Sequence, residues 1–293
     1  MKRTIIQLLL ICFSYAFLNA QSTFKPNGII GLLTDYGTKD FYAGALKGSI
    51  LKINPKANVV DLTHEITPFN IREGMFNLFL ASQEYPKGTI FIASINSEEV
   101  VNSRSIILET KDQNVFIAPD NGLLTLIINK YGIKQIREIT NSEFFRKEGV
   151  SKSFLGRDVL GPVAGFISTG IDIDKVGKEI NDYEMIPIKQ PEINKDKIIG
   201  EIIFIDRYGN IQVNFGSYFV KTLGIQIGEK VKIKIGNKIV KALYSPSYSF
   251  VDEGGFVLFE ASTDFIEIAR NESSAEKYFN AKLGDRVEIE KIK

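Results

Sequence analysis

Histidine, cysteine and tryptophan are nearly absent from this sequence of 293 residues, which holds one His, one Cys and no Trp. Zinc sites built from Cys and His, thiol redox pairs and any Ser-His-Asp triad not built on His64 are therefore excluded. A basic excess is also missing, since 36 Lys and Arg residues face 35 Asp and Glu residues. We expect no nucleic-acid partner, because binding to a phosphate backbone normally needs a basic surface.

The first twenty residues have the pattern of an export signal. Lys2 and Arg3 precede an apolar stretch at 5–17, and Ala20 supplies a small residue for cleavage. Two alternatives stay open: a lipoprotein site at Cys12, and an uncleaved anchor, for which the stretch is short of the roughly 20 residues that span a bilayer. The sequence predicts a signal peptide at 1–20, export to the periplasm or secretion, and no further membrane association.

Buried strands alternate with helices in the first half of the chain. The apolar run at 28–34 is typical of a strand covered on both faces, and the spacing of Phe41, Ala45 and Ile50 predicts a helix at 41–53. Similar patterns predict strands at 58–63 and 89–95, a strand pair at 105–108 and 114–118, and helices at 71–84, 123–130 and 158–169. We therefore predict an α/β fold, with a three-layer N-terminal domain at 27–190 and a mostly parallel sheet.

The apolar period changes to two near residue 197. The stretch 187–197, which contains Pro187, Pro191 and several charges, follows neither period and is predicted to be a linker. Short alternating segments follow at 198–206, 210–215, 230–235, 238–243, 255–260, 265–270 and 286–292. They predict a C-terminal all-β, barrel-like domain at 197–293.

Several polar motifs at predicted strand and helix ends each allow two interpretations. Asp35 ends the first strand, where open α/β sheets bind ligands, and its carboxylate could accept hydrogen bonds from a ribose diol. A helix cap is the alternative for this region, and Asp40 could serve as one. The segments 119–122 and 208–210 are turn sequences as well as candidate sites. Arg157 beside Asp158 is either a cation at a cleft or a surface ion pair of little energy.

In chain order, these motifs resemble the S-adenosyl-L-methionine hydroxide adenosyltransferase family, which is related to fluorinases and chlorinases. The resemblance covers residues 28–292 and rests on TDYGTKD at 34–40, INP at 53–55, VDLTHE at 60–65, PFNIREG at 68–74, PKGT at 86–89, APDNGLL at 118–124, SFLGRD at 153–158, DRYGN at 206–210 and IARNES at 268–273. It implies an α/β N-terminal domain, a β-barrel-like C-terminal domain and a homotrimer with sites between the N-domain of one subunit and the C-domain of the next. A nucleophile, in most members water or hydroxide, is expected to attack C5′ of S-adenosyl-L-methionine and release methionine, without a metal or a further cofactor.

The resemblance also implies a set of residues that bind the adenosyl ligand. The set comprises Asp35 for the ribose hydroxyls, Asp40 near the methionine amino group, Phe69 and Phe250 against ribose and adenine, Asn210 for the adenine edge, Ser262 near the methionine carboxylate, and Arg270, which matches an arginine of the halogenases. Stacking on an aromatic ring is worth roughly 1–3 kcal/mol per base in single-strand binders. Structural roles are the alternatives: Phe250 could be a core residue and Arg270 a solvated charge.

The residues that activate water in the related hydrolases are replaced in this chain. The resemblance puts Asn96, Ser103 and Leu155 where those enzymes carry Asp, Arg and His. Leu155 cannot exchange a proton and Asn96 has no charge. A Glu in a partly buried pocket can have a raised pKa and take a proton from water. Three charged neighbours are therefore candidate catalytic groups: Glu98, Glu99 and Arg104.

Three functions remain open at this point. The first is an exported, diverged hydrolase-like enzyme that cleaves S-adenosyl-L-methionine to adenosine and methionine, with impaired activity. The second uses an anion that needs no deprotonation, although Glu98 and Glu99 would repel a halide. The third is a non-catalytic or repurposed protein that binds an adenosyl compound or nucleoside, and export favours such a changed ligand because S-adenosyl-L-methionine is a cytoplasmic metabolite. We predict the first function, with the third as the alternative.

Overall fold

A six-stranded sheet forms the centre of the N-terminal domain in the computed structural model, which describes residues 24–95, 104–151 and 153–292. Its strands are β1 (Ile29–Thr34), β2 (Asn58–Thr63), β3 (Ile90–Ser94), β4 (Ser105–Thr110), β5 (Val115–Pro119) and β6 (Ile133–Glu138). They lie in the order β2-β1-β3-β5-β4-β6, and only β4 runs against the others. The predicted mostly parallel sheet is confirmed, as is the predicted strand pair, β4 with β5, which is antiparallel.

Helices cover both faces of this sheet because its central strands are apolar at successive positions. The helices are α1 (Tyr42–Ile53), α2 (Ile71–Ser82), α3 (Thr125–Tyr131) and α4 (Gly161–Ser168). Ile30 and Leu32 of β1 share a buried cluster with α1 and α4, whereas Leu33 belongs to the cluster with α2 and α3. This alternation of side chains across β1 produces the predicted three layers.

The C-terminal domain is a closed barrel. Its strands are β8 (Lys197–Ile205), β9 (Ile211–Val213), β10 (Lys230–Ile235), β11 (Lys238–Tyr244), β12 (Phe256–Glu260), β13 (Ile266–Arg270) and β14 (Arg286–Lys291), with helices α5 (Ser217–Thr222) and α6 (Ala275–Phe279) between them. The pairing of β14 with β8 closes the ring of seven strands. Alternate residues such as Val231, Ile233 and Ile235 fill its interior, as the period of two predicts.

Apolar contacts join the two domains. Ile203 of β8 is buried in the cluster that contains α2, and the rings of Phe76 and Phe265 lie edge to face with centroids 6.3 Å apart. The stretch predicted as a linker is partly ordered into a strand, since β7 (Glu192–Asn194) pairs with the start of β8. The backbone hydrogen bonds of β8 therefore give structure to residues whose own pattern gives no strand signal.

The remaining differences from the sequence prediction concern short or edge elements. β6, α5 and α6 were not predicted, and the helix predicted at 158–169 begins with a π-helical turn, Gly156–Leu160, before α4. Asp40 does not cap α1, whose N-cap is Phe41 without a side-chain bond. The predicted signal peptide at 1–20 lies entirely outside the described residues. Within the described ranges, no helix is long and apolar enough to cross a membrane.

Candidate active site

The candidate site lies at the carboxyl end of β1. In open α/β sheets the carboxyl ends of parallel strands meet at one edge, where ligands bind. The carboxylate of Asp35 follows β1 directly, and its Oδ2 accepts a hydrogen bond of 3.0 Å from the backbone N–H of Phe69. Phe69 has a φ of 67°, an uncommon conformation for a bulky residue. The bond to Asp35 holds this strained residue, so the two predicted ligand residues are fixed to each other.

A chain of hydrogen bonds around His64 supports the same loop. The buried imidazole lies 2.8 Å from Thr34 Oγ1 through Nδ1 and 2.9 Å from Asp61 Oδ1 through Nε2. Asp61 also accepts a bond of 2.6 Å from Lys47, and the bonds from Lys47 and His64 lower the pKa of Asp61 against the raising effect of its partial burial. The carbonyl of His64 accepts the N–H of Gly37 at 2.7 Å. The only histidine of the chain thus anchors both sides of Asp35.

Aromatic rings form one wall beside Asp35. The ring of Phe154 lies edge to face with Tyr36 and Tyr42, at centroid distances of 5.6 and 5.2 Å, and Phe41 stacks on Tyr42 at 4.5 Å. The Tyr36 hydroxyl is 2.8 Å from Ser94 Oγ at the end of β3. Phe41 is 65% exposed, so its ring is accessible to an apolar or aromatic ligand.

A buried carboxylate, that of Asp158, holds Arg157, whose guanidinium contacts the Phe154 ring of this aromatic wall. Asp158 is fully buried, and it accepts bonds of 2.6 and 2.8 Å from the fork of Arg157, 3.3 Å from Arg146 and 2.9 Å from the Ser151 N–H. Burial raises the pKa of Asp158, but these bonds outweigh burial and hold that pKa well below its usual range. The guanidinium of Arg157 lies 4.8 Å from the centre of the Phe154 ring. The interpretation as a surface ion pair is therefore wrong, because the anion is inside the protein.

These groups line a cavity of about 500 Å³, which we call the N-domain cavity. Three predicted ligand residues lie on it: Asp35, Asp40 and Phe69. Tyr36, Phe154 and Arg157 also line it, and none of these three was among the predicted ligand residues. In the part of the chain that the structure describes, no three His, Cys, Asp or Glu side chains converge as metal ligands would.

A second cavity, of about 720 Å³, lies on the barrel and is called the barrel cavity here. Asn210 and Arg270 line it. Asn210 donates through Nδ2 to Asp206 at 2.9 Å, which fixes the amide. The Arg270 guanidinium lies 5.0 Å from the ring centre of Phe256 and 5.1 Å from that of Tyr278, so two aromatic rings hold it in place.

The last two predicted ligand residues lie on exposed turns of the barrel. Phe250 is 60% exposed and ends a short 3-10 turn that begins at Tyr248, a lining residue of the barrel cavity. It is therefore not a core residue. Ser262 is exposed in the turn between β12 and β13. The N-domain cavity and the barrel cavity share no lining residue, so five of the seven predicted ligand residues are divided between them, and Phe250 and Ser262 line neither.

The predicted catalytic residues belong to the segment between β3 and β4. Glu98 and Glu99, like Asn96 and Ser103, lie outside the described residues. Arg104 is described, and it donates to Asp120 Oδ2 at 2.7 Å and to Asp182 Oδ2 at 3.3 Å. The pKa of Arg104 is raised, chiefly by the hydrogen bond to Asp120. These ion pairs tie the residue before β4 to the turn after β5 and to the segment after β6. A catalytic role for Arg104 stays a prediction.

Both halves of the chain match known domains. Residues 30–177 match the SAM hydroxide adenosyltransferase N-terminal domain, and residues 200–288 match the C-terminal domain of that name. The chain belongs to the SAM hydroxide adenosyltransferase family. A protein named (R)-S-adenosyl-L-methionine hydrolase from Methanocaldococcus jannaschii is 35% identical over 272 residues, with 89% of this chain and 95% of that protein covered. A fluorinase from Nocardia brasiliensis is 26% identical, with 89% and 96% covered.

Solved structures support the same relationship. An uncharacterized conserved protein from Thermotoga maritima has a TM-score of 0.85 and 36% sequence identity, and the match covers 89% of this chain and 99% of that one. The family resemblance predicted from the motifs is confirmed. The SAM hydroxide adenosyltransferase fold also explains why Asp35 and Phe69 meet, because they follow the neighbouring strands β1 and β2.

Proposed function

We propose that the chain cleaves S-adenosyl-L-methionine with water to give adenosine and methionine. The carrying observation is the Asp35 carboxylate, which lies beside an aromatic wall in a cavity of suitable size and is fixed by the N–H of Phe69. An ionised carboxylate accepts both hydroxyls of a ribose, and the family relationship to named S-adenosyl-L-methionine hydrolases supports this ligand. Asp40 would bind the methionine amino group, and Asn210 and Phe250 the adenine.

The reaction needs little from the protein beyond orientation. The oxygen of water bonds to C5′, the C5′–S bond breaks with its electron pair on sulfur, and one proton of the water passes to solvent. A sulfonium is already an activated leaving group, so placing water in line and excluding other water supply most of the catalysis. We propose no metal and no further cofactor. Replacement of the Asp, Arg and His set by Asn96, Ser103 and Leu155 predicts slow turnover, because general base catalysis contributes about 10²–10⁴-fold.

We further propose that the complete site forms between subunits of a homotrimer. The division of five of the seven predicted ligand residues between two cavities supports this arrangement. Exposed rings occur at both cavities, with Phe69 62% and Tyr208 78% exposed, and a neighbouring subunit would cover such apolar surface. Sedimentation should give three times the mass of the mature chain, and a monomer that still turns over substrate would contradict the arrangement.

Export to the periplasm or secretion, with removal of residues 1–20, completes the proposal. The charged start and the apolar stretch of the sequence support it. Fractionation of cells that express the full chain should place the protein outside the cytoplasm. A variant without residues 1–20 should stay inside, and equal distribution of both proteins would contradict export.

The product assay uses the chain from residue 21 onward, S-adenosyl-L-methionine and water enriched in oxygen-18. Mass spectrometry should find methionine and adenosine labelled at O5′, above a heat-denatured control, with the Asp35→Ala variant strongly reduced. Absence of both products over days would reject the enzyme. Calorimetric binding without products, lost in Asp35→Ala, would establish the alternative, a nucleoside-binding protein.

A further inference from the structure

Tyr36 lines the N-domain cavity, and its hydroxyl lies in a tightly fixed position. Its oxygen is 2.8 Å from Ser94 Oγ. The ring is held by Phe154 and by Tyr42, at centroid distances of 5.6 and 6.2 Å. A β-carbon added to Gly156 would come within 2.3 Å of the hydroxyl oxygen, so the glycine leaves the space that this oxygen fills. Packing and hydrogen bonding therefore prevent the hydroxyl from turning away.

The sheet explains why these groups meet. Thr34 and Ser94 are paired in the parallel register of β1 and β3, and Tyr36 lies just beyond the end of β1. Gly156 opens the π-helical turn that leads into α4. Such turns are frequent at functional sites. Three separate segments thus converge on the hydroxyl of Tyr36, the residue that follows Asp35.

The charged groups that line this cavity have other roles. Arg157 donates two hydrogen bonds to Asp158. The proposed function assigns Asp35 and Asp40, which also line the cavity, to ligand binding. A phenol that donates its proton to Ser94 keeps lone pairs on its oxygen, which can accept a hydrogen bond from water. Tyr36 can therefore orient water without becoming charged.

We propose that the Tyr36 hydroxyl, oriented by Ser94, holds the water that attacks C5′. This inference rests on the proposed function and names the group that positions its nucleophile. Tyr36 Oη accepts one O–H of the water while the water oxygen bonds to C5′ and the electron pair of the C5′–S bond moves to sulfur. The water proton is then lost to solvent, and the phenol keeps its own proton throughout.

The test compares steady-state kinetics of the mature chain with those of Tyr36→Phe, which keeps the ring and removes only the hydroxyl. We expect kcat to fall about tenfold or more, the value of one well-placed hydrogen bond, with KM changed less than about twofold. Ser94→Ala should lower kcat by a smaller factor. Tyr85→Phe is the matched control, because its ring packs on Phe91 in the core and it should keep the wild-type kcat. Thermal unfolding of each variant checks the fold.

The possible results separate the two proposals. A Tyr36→Phe variant with kcat within about twofold of an active wild type overturns the role of Tyr36 and leaves the proposed function standing. A rise in KM at constant kcat also overturns it, because the hydroxyl would then act in binding. A wild-type protein that forms no adenosine removes the proposed function and this inference with it.

Discussion

Replacement of Asp158 by Asn should destabilise the N-terminal domain strongly. The carboxylate is fully buried, and the substitution removes its charge while Arg157 and Arg146 keep theirs. Breaking a buried ion pair costs about 3–5 kcal/mol. Since the two Arg side chains are 26% and 30% exposed, water can solvate them in part, and we expect the low end, about 3 kcal/mol.

The stabilisation by Asp158 should depend on pH in a defined direction. The bonds from the two Arg residues hold the pKa of Asp158 in the folded protein well below the value of about 3.9 in an unfolded chain. A lowered pKa means that the stabilisation is present above about pH 4 and is lost as the pH falls through the folded value. The difference in unfolding free energy between wild type and Asp158→Asn should be constant near neutral pH and shrink below about pH 4.

Urea unfolding followed by circular dichroism at several pH values measures this difference. Asp174→Asn is a suitable control, because Asp174 is exposed in the turn Ile173–Val176 and its replacement should change stability by less than about 0.5 kcal/mol. A difference below about 1 kcal/mol at pH 7 would refute the reasoning. A difference that stays constant down to pH 3 would show that the charge of Asp158 is not its source.

Three further substitutions probe the two cavities. Asp35→Asn should weaken adenosyl binding about tenfold in calorimetry, because the charge that accepts the ribose hydroxyls is lost; unchanged affinity would contradict the ribose role. Gly156→Ala should lower the unfolding free energy by about 1–3 kcal/mol and reduce kcat, because its methyl group displaces the Tyr36 hydroxyl; wild-type behaviour would show that the site yields easily. Arg270→Lys should weaken binding because Lys lacks the planar group that stacks between two rings, and equal affinity would assign Arg270 to the surface.

The elements that the sequence predicts well are those whose residues carry their own pattern. β2 and β10 match their predicted bounds, because each is an apolar or alternating run closed by turn residues. β6 lacks such a pattern, since it is an edge strand in which Ile136 is the buried residue. Its structure comes from pairing with β4, and such pairing depends on residues far away in the chain.

The site shows the same division. Asp35 could be predicted, because it follows a buried strand at the edge where α/β sheets bind ligands. The contact between Tyr36 and Ser94 joins positions 58 residues apart and depends on the register of parallel strands. The burial of Asp158 depends on Arg146 and Ser151, which lie in the segment before it. Neither property can be seen in a local motif.

The proposed ligand residue Asp35 and the residue at position 155 have separate supports in the structure. Asp35 is fixed by the N–H of Phe69, and the loop around it by His64. Leu155 is half-buried and packs against the apolar cluster between α1, α4 and the sheet. An apolar side chain there gains stability from burial and bonds to none of those supports. Under the proposed function, an apolar residue at position 155 therefore leaves the Asp35 loop in place, and Tyr36 is the group proposed to orient water.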